Sequence, residues 1–294
     1  MGTALSIPFA KSVSAELAPV PAERGIPEVT VGGLKVACLS RSELASLMVV
    51  ECLAQRERKQ APPKLVFAAN GHVISLAATS AEFRRHHEMA DLIHADGQPV
   101  VFASKFTRDP IPQRSATTDF FHDAALAARA HGLRMFVLGG REDINARCVA
   151  VMRERYPGLK IAGNHHGYFA REDEPELCEK INASAADIVW VGLGVPLEQA
   201  FCVRNRGQLR AGWLVTAGGC YNYVTGDYAR APAWMQRFGL EWLHRLWREP
   251  RRLFVRYAVT NPHAIFLLLT RTASSGARAA RRATEEPRLQ HGLR

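Results

Sequence analysis

The chain of 294 residues is 47% hydrophobic and 22% charged, a globular composition with enough apolar side chains for a full core. Its formal charge of +10 points to an anionic partner: phosphate groups, nucleic acid or an acidic membrane surface. The six cysteines stand apart without any C-x-x-C pair, which argues against a zinc site and a disulfide scaffold and suits a reducing cytosol.

Residues 1–27 hold four prolines (Pro8, Pro19, Pro21, Pro27) and little periodicity, and are expected to form a flexible leader. They lack the basic start and sustained apolar core of a secretory signal. Val29-Thr30-Val31 and Leu34-Lys35-Val36-Ala37 flank Gly32-Gly33, which suggests a short hairpin. A helix is expected over 40–59, with Ser40 as N-cap and Leu44, Leu47, Met48 and Cys52 at helical spacing. Residues 64–69 form a buried-strand pattern ended by Asn70-Gly71-His72, and a helix over about 73–89 leads into 90–101. In that stretch an Ala-Asp-Gly step separates two apolar runs. Gly97 permits a tight turn, and Pro99 fits the first turn of a following helix. Asp96 is thereby placed on a strand-to-helix loop at the mouth of a cleft, where a carboxylate can take a proton from an attacking hydroxyl. The plainer reading is a cap for the next helix.

The alternation continues with a helix over 116–132 opened by Thr117, Thr118 and Asp119, and a strand over 135–138 closed by Gly139-Gly140. A helix over 143–156, a strand over 159–162 and a helix over 175–185 follow. The strand over 188–191 exits through Gly192-Leu193-Gly194-Val195-Pro196, and the last strand, 213–217, through Gly218-Gly219. Strands and helices alternating at this spacing predict an α/β fold, an open, mostly parallel sheet with helices on both faces. Ligands then sit beyond the carboxyl ends of the strands.

After Tyr223 the character changes. Between Arg237 and Arg256 there are six arginines (237, 245, 248, 251, 252, 256) against two glutamates (241, 249). Read as a helix, residues 234–257 have one apolar face, with Leu240, Leu243, Leu246 and Trp247, and one cationic face, with Arg245, Arg248 and Arg252. The run is either a solvated face or a binding surface. The apolar run 264–269 is too short to span a bilayer, and residues 272–294 are expected to be disordered. The expected units are therefore a leader (1–27), a core (28–229), a basic helical appendage (230–271) and a tail (272–294).

Gly139-Gly140 and Gly192-x-Gly194 can let backbone amides approach a pyrophosphate, but neither completes G-x-G-x-x-G, and no P-loop motif is present. His165-His166 is a poor chelating pair, since neighbours on a strand face opposite ways. No cofactor and no tightly held metal are expected. An open sheet with phosphate-sized glycine turns, one well-placed Asp and many arginines suits displacement of a diphosphate leaving group.

These residues carry a resemblance. The Asn70 turn, Ala90-Asp91-Leu92 with Asp96-Gly97, Asp119, Phe136-Val137-Leu138-Gly139-Gly140, Tyr156-Pro157 and Gly167-Tyr168-Phe169 stand in order. Val191-Gly192-Leu193-Gly194-x-Pro196, Ala217-Gly218-Gly219, Arg230-Ala231-Pro232 with Trp234, Gly239-Leu240-Glu241-Trp242-Leu243-x-Arg245-Leu246 and Glu249-Pro250-x-Arg252-Leu253 complete the set. The chain resembles the WecG/TagA/CpsF glycosyltransferases (glycosyltransferase family 26) over roughly residues 27–257. The resemblance implies a Rossmann-like core and inverting transfer from a UDP-sugar donor to a polyprenyl-diphosphate-linked acceptor, by an enzyme peripheral to the cytoplasmic membrane face. It places Asp96 as general base. Substrate contacts are expected at Asn70, Gly97, Asp119, Gly139, Gly140, Gly192, Gly194, Pro196, Glu198, Gln199, Gly218, Gly219 and Arg230. Arg245, Arg251, Arg252 and Arg256 are expected either to clamp the diphosphate or to meet anionic lipid.

Three positions depart from the family pattern: Ala68 for the usual Thr, Glu198-Gln199 for Gln-Glu, and Tyr221-Asn222 for Phe-Asp. Glu198 beside a diphosphate would repel it unless an arginine pairs it. The alternative is a catalytically inactive nucleotide-sugar-binding protein of the same fold. A nucleic-acid binder is the third reading, disfavoured because no nucleic-acid motif is present. Self-association is left open.

Overall fold

A computed structural model describes residues 17–19, 25–58 and 61–274. The chain opens with the hairpin β1 (Glu28–Val31) and β2 (Leu34–Ala37), turned on Gly32 and Gly33 at φ +59° and +92°. Ser40 caps α1 (Arg41–Arg58) reciprocally: its hydroxyl accepts from the Glu43 amide at 3.3 Å, while Glu43 accepts from the Ser40 amide at 2.7 Å. Then follow β3 (Lys64–Ala69), α2 (Gly71–Thr79), α3 (Ala81–Glu88), β4 (Leu92–Ala95), α4 (Gln98–Ser104) and α5 (Thr117–Ala130). The helix expected over 73–89 is two helices. Ser80 is extended, closes α2, and accepts from the Phe83 amide to start α3.

The chain continues with β5 (Arg134–Gly139), α6 (Glu142–Arg155), β6 (Lys160–His165), α7 (Glu174–Ala183), β7 (Ile188–Gly192), α8 (Leu197–Asn205), β8 (Trp213–Thr216) and α9 (Cys220–Val224). The short helices α8 and α9 have no counterpart in the sequence reading. The strands from β3 to β8 form one six-stranded sheet in the order β4-β3-β8-β7-β5-β6, every pair parallel. Side chains alternate across it. Met135, Val137, Ile188, Trp190, Trp213 and Val215 face α1, α5 and α6, while Phe136, Leu138, Val189, Val191 and Leu214 face a core shared with α2, α7 and α8. Burial on both faces explains the apolar runs of the inner strands; the edge strand β6 is only partly buried.

The appendage is three helices, α10 (Ala233–Arg237), α11 (Glu241–Arg248) and α12 (Pro250–Thr270), rather than the single helix expected over 234–257. Gly239, at φ +73°, breaks the first junction and Pro250 the second. α12 is long and apolar enough to cross a bilayer by length and composition. The expected helix ended at residue 257, whereas α12 runs on through Asn261-Pro262-His263 to Thr270. Leu253, Tyr257, Ala264, Leu267 and Leu268 are nevertheless buried, and Gly71 lets Ala264 approach α2: a Cβ there would lie 3.4 Å from the Ala264 methyl carbon.

The tail expected to be disordered from 272 begins inside the fold. β9 (Ala273–Ser274) adds to β1 antiparallel, giving the small sheet β2-β1-β9. The Gly33 amide bonds the Arg271 carbonyl at 2.9 Å, so both ends of the described chain are tied together. The remainder of the expected tail, residues 275–294, and most of the expected leader lie outside the described residues.

Candidate active site

The ends of β3 and β4 build the site. The amides of Asp96 and Gly97 both bond the Ala69 carbonyl, at 2.9 and 3.0 Å, which draws the two strand ends together. A Cβ on Gly97 would lie 3.2 Å from the Asn70 backbone, so the residue there must be small. Asn70 is the N-cap of α2, accepting from the Val73 amide at 3.1 Å, and its side-chain nitrogen donates to Asp96 Oδ2 at 3.0 Å. Asp96 Oδ1 accepts from the Thr117 amide at 2.8 Å. The plainer reading was thus half right. Asp96 satisfies a helix start, but that of α5, while the N-cap of α4 is Gly97 without a side-chain bond.

Each carboxylate oxygen keeps a lone pair after these two bonds. Burial opposes ionisation of Asp96, but the Arg114 guanidinium, the Thr117 amide and the Asn70 amide outweigh it and hold the carboxyl below its ordinary value. It is an oriented carboxylate at neutral pH. Arg114 braces the same loop: its Nε donates to the Asp96 carbonyl at 2.6 Å and its Nη2 pairs with Glu241 of α11.

Asp96 opens onto a concave cleft. Asn70, Gly97, Arg230, Arg245 and Arg256, all singled out in the sequence, line it with Asp96. The core forms one wall; α11 and α12 form the other. Arg230 is held by Thr118, by Asp119 at 3.1 Å and by Gln236 at 2.9 Å. Arg245 makes no ion pair among the described residues, and its Nε is buried without a partner. Arg256 loses basicity through desolvation and through the like charges of Arg245 and Arg252, a cluster short of anions.

Other expected contacts fall elsewhere. Asp119 sits behind Arg230 and joins it to Arg41 at 3.3 Å. Arg252 stands at the rim, paired with Glu249 at 2.9 Å, and Arg251 is exposed on α12 outside the cleft.

None of Gly139, Gly140, Gly192, Gly194, Pro196, Glu198, Gln199, Gly218 or Gly219 lines the cleft. Gly139 and Gly192 allow strand ends to touch: a Cβ on Gly139, at φ +115°, would lie 2.2 Å from the Gly192 carbonyl oxygen. The Gly140 amide is taken by that carbonyl at 3.0 Å. The amides of Gly194 and Gly218 converge on Glu198 Oε2 at 3.1 and 2.9 Å. A carboxyl of the chain itself therefore fills the amide nest expected to receive phosphate. Among the described residues no arginine pairs Glu198; burial raises its carboxyl to about 8, against the pull of those two amides.

Arg114, Glu241, Tyr223, Trp242, Tyr257 and His72 also line the cleft and were missed. Desolvation and the charge of Arg256 lower His72 to about 4, so it presents a neutral imidazole. Glu241 and Trp242 lay within the matched motif; Arg114 lies in an irregular loop with no local signal. Among the described residues no group of three or more His, Cys, Asp or Glu is placed to hold a metal ion.

The model of the "Glycosyl transferase WecG/TagA/CpsF family" matches residues 29–278. A protein of Bacillus spizizenii is 32% identical over 187 residues, covering 64% of this chain and 72% of the relative. One of Bacillus subtilis is 32% identical over 176 residues, covering 58% and 68%. Both relatives are named N-acetylglucosaminyldiphosphoundecaprenol N-acetyl-beta-D-mannosaminyltransferase.

Proposed function

The chain belongs to the WecG/TagA/CpsF glycosyltransferase family, and from that premise we propose that it moves an N-acetylmannosamine-type sugar from UDP to a polyprenyl-diphosphate-linked N-acetylglucosamine acceptor, inverting the anomeric centre. One observation carries the reading: an oriented carboxylate, Asp96, faces a cleft whose other wall holds Arg245 and Arg256, neither ion-paired among the described residues. In the reaction the acceptor hydroxyl attacks the anomeric carbon and gives its proton to Asp96. The bond from that carbon to the diphosphate oxygen breaks, and UDP leaves with the electron pair. Arg245 and Arg256, with Arg230 behind them, take up the charge that develops on the diphosphate. Asn70 and the Thr117 amide hold the base so that a free lone pair points to the incoming hydroxyl.

The acceptor's lipid chain calls for a membrane surface. Trp247, Phe254, Val255, Phe266 and Leu269 are 60–84% exposed on α11 and α12, beside Arg248 and Arg251. Apolar side chains among arginines suit insertion at an anionic interface, on the cytoplasmic side where UDP-sugars are made. The test is release of UDP from UDP-N-acetylmannosamine by the purified chain, with and without a diphosphate-linked N-acetylglucosamine lipid. Acceptor-dependent release supports the reading. Nucleotide-sugar binding without any release supports the inactive binding protein.

A further inference from the structure

Two tyrosines connect the arginines of the cleft. The Arg230 guanidinium lies 5.9 Å from the centre of the Tyr223 ring, and the Arg245 guanidinium lies 5.9 Å from the same ring. Arg245 is also 5.9 Å from the Tyr228 ring, and Arg252 is 5.8 Å from it. The two rings meet edge to face at 5.5 Å and 78°. The result is an alternating stack, Arg230–Tyr223–Arg245–Tyr228–Arg252, running from the cleft to its rim. Tyr223 lies in α9 and Tyr228 follows that helix on the core, whereas Arg245 and Arg252 belong to α11 and α12.

We propose that Tyr223 and Tyr228 are positioning residues that interleave these guanidiniums and hold their N–H edges toward a diphosphate. Three physical points carry this. Like charges gathered with few carboxylates repel, and the negative faces of the rings offset part of that repulsion, with one donor used, Arg252 Nη1, which bonds the Tyr228 hydroxyl at 3.2 Å. Arg245, the middle member, lines the cleft and makes no ion pair among the described residues, so no carboxylate of the chain takes up its charge. Tyr223 stays neutral, since burial raises its phenol to about 12 while Arg245 pulls the other way. The rings therefore space the cations without neutralising them. The inference rests on the reading that the cleft arginines bind the donor's diphosphate.

The experiment measures UDP affinity by calorimetry, together with donor KM and kcat, for the full chain and for Arg245→Ala, Tyr223→Phe, Tyr223→Leu and Tyr228→Leu. The Phe variant keeps the ring and is expected to match the wild type. Each Leu variant should raise donor KM and UDP Kd by about three- to tenfold with acceptor KM and melting temperature nearly unchanged. Tyr228→Leu, nearer the rim, covers the case in which Tyr223→Leu does not fold. If Arg245→Ala weakens UDP but both Leu variants bind it like the wild type, the stack is not a positioning device. Leu variants that only melt earlier, with unchanged UDP affinity, would likewise reduce the rings to packing. If Arg245→Ala leaves UDP affinity unchanged, the clamp itself fails, and the role of the tyrosines fails with it.

Discussion

Glu198 gives a prediction whose size follows from its surroundings. It is 3% exposed, both its amide contacts reach one oxygen, and its carboxyl is raised from 4.5 to about 8 by burial, with the Asp96 charge adding. Between those values the folded chain holds a proton that the unfolded chain has released, so stability falls as pH rises through that window. The gap converts to a fall of about 5 kcal/mol across the full range, of which about 4 lies between pH 5 and 9. Glu198→Gln keeps an oxygen for the Gly194 and Gly218 amides and does not titrate. Urea unfolding of both proteins at pH 5, 7 and 9 isolates the effect, because the other titrating groups are common to the pair. The Gln variant should gain on the wild type as pH rises, with a midpoint difference growing by about 2 M for a typical urea slope. A midpoint difference independent of pH would refute the buried, protonated carboxyl.

Leu267 is 1% exposed where α12 closes on the core, so Leu267→Ala should cost about 2–5 kcal/mol in the same urea assay. Deleting the chain from 234 would likewise open the core rather than remove a detachable anchor. Phe254 and Val255 are 61% and 69% exposed, and changing both to Asp should abolish sedimentation with anionic liposomes while sparing transfer to a short water-soluble acceptor. Transfer should persist in EDTA, since arginines are placed to receive the diphosphate charge; complete loss restored by magnesium or manganese would oppose that.

The sheet was legible because its strands, the edge strand β6 apart, are buried on both faces and so appear as short apolar runs punctuated by glycine. The Asp96 loop was legible for the same reason: Ala-Asp-Gly interrupts such a run at a strand end. What the residues could not reveal was the partner of each polar group. The glycine turns looked like phosphate cradles, yet Glu198 reaches two of their amides from a helix that leaves no periodic signal. The arginine run looked like one helix face because nothing in its spacing shows that Gly239 and Pro250 fold it into three pieces. That folding turns Arg245 and Arg256 into the cleft and leaves Arg251 outside. Arg114 and Tyr223 join the site only through tertiary contact, which no local pattern encodes.

The proposed reaction turns on Asp96 as the base. Asp96→Asn keeps the size of the side chain and its bond from the Thr117 amide, but removes basicity and sets an amide nitrogen against that of Asn70, so the variant is first checked for an unchanged melting temperature. Acceptor-dependent UDP release is then measured beside UDP affinity. Turnover should fall by about 100-fold or more while UDP binding persists. Turnover near that of the wild type would contradict the account and leave Asp96 as the cap of α5.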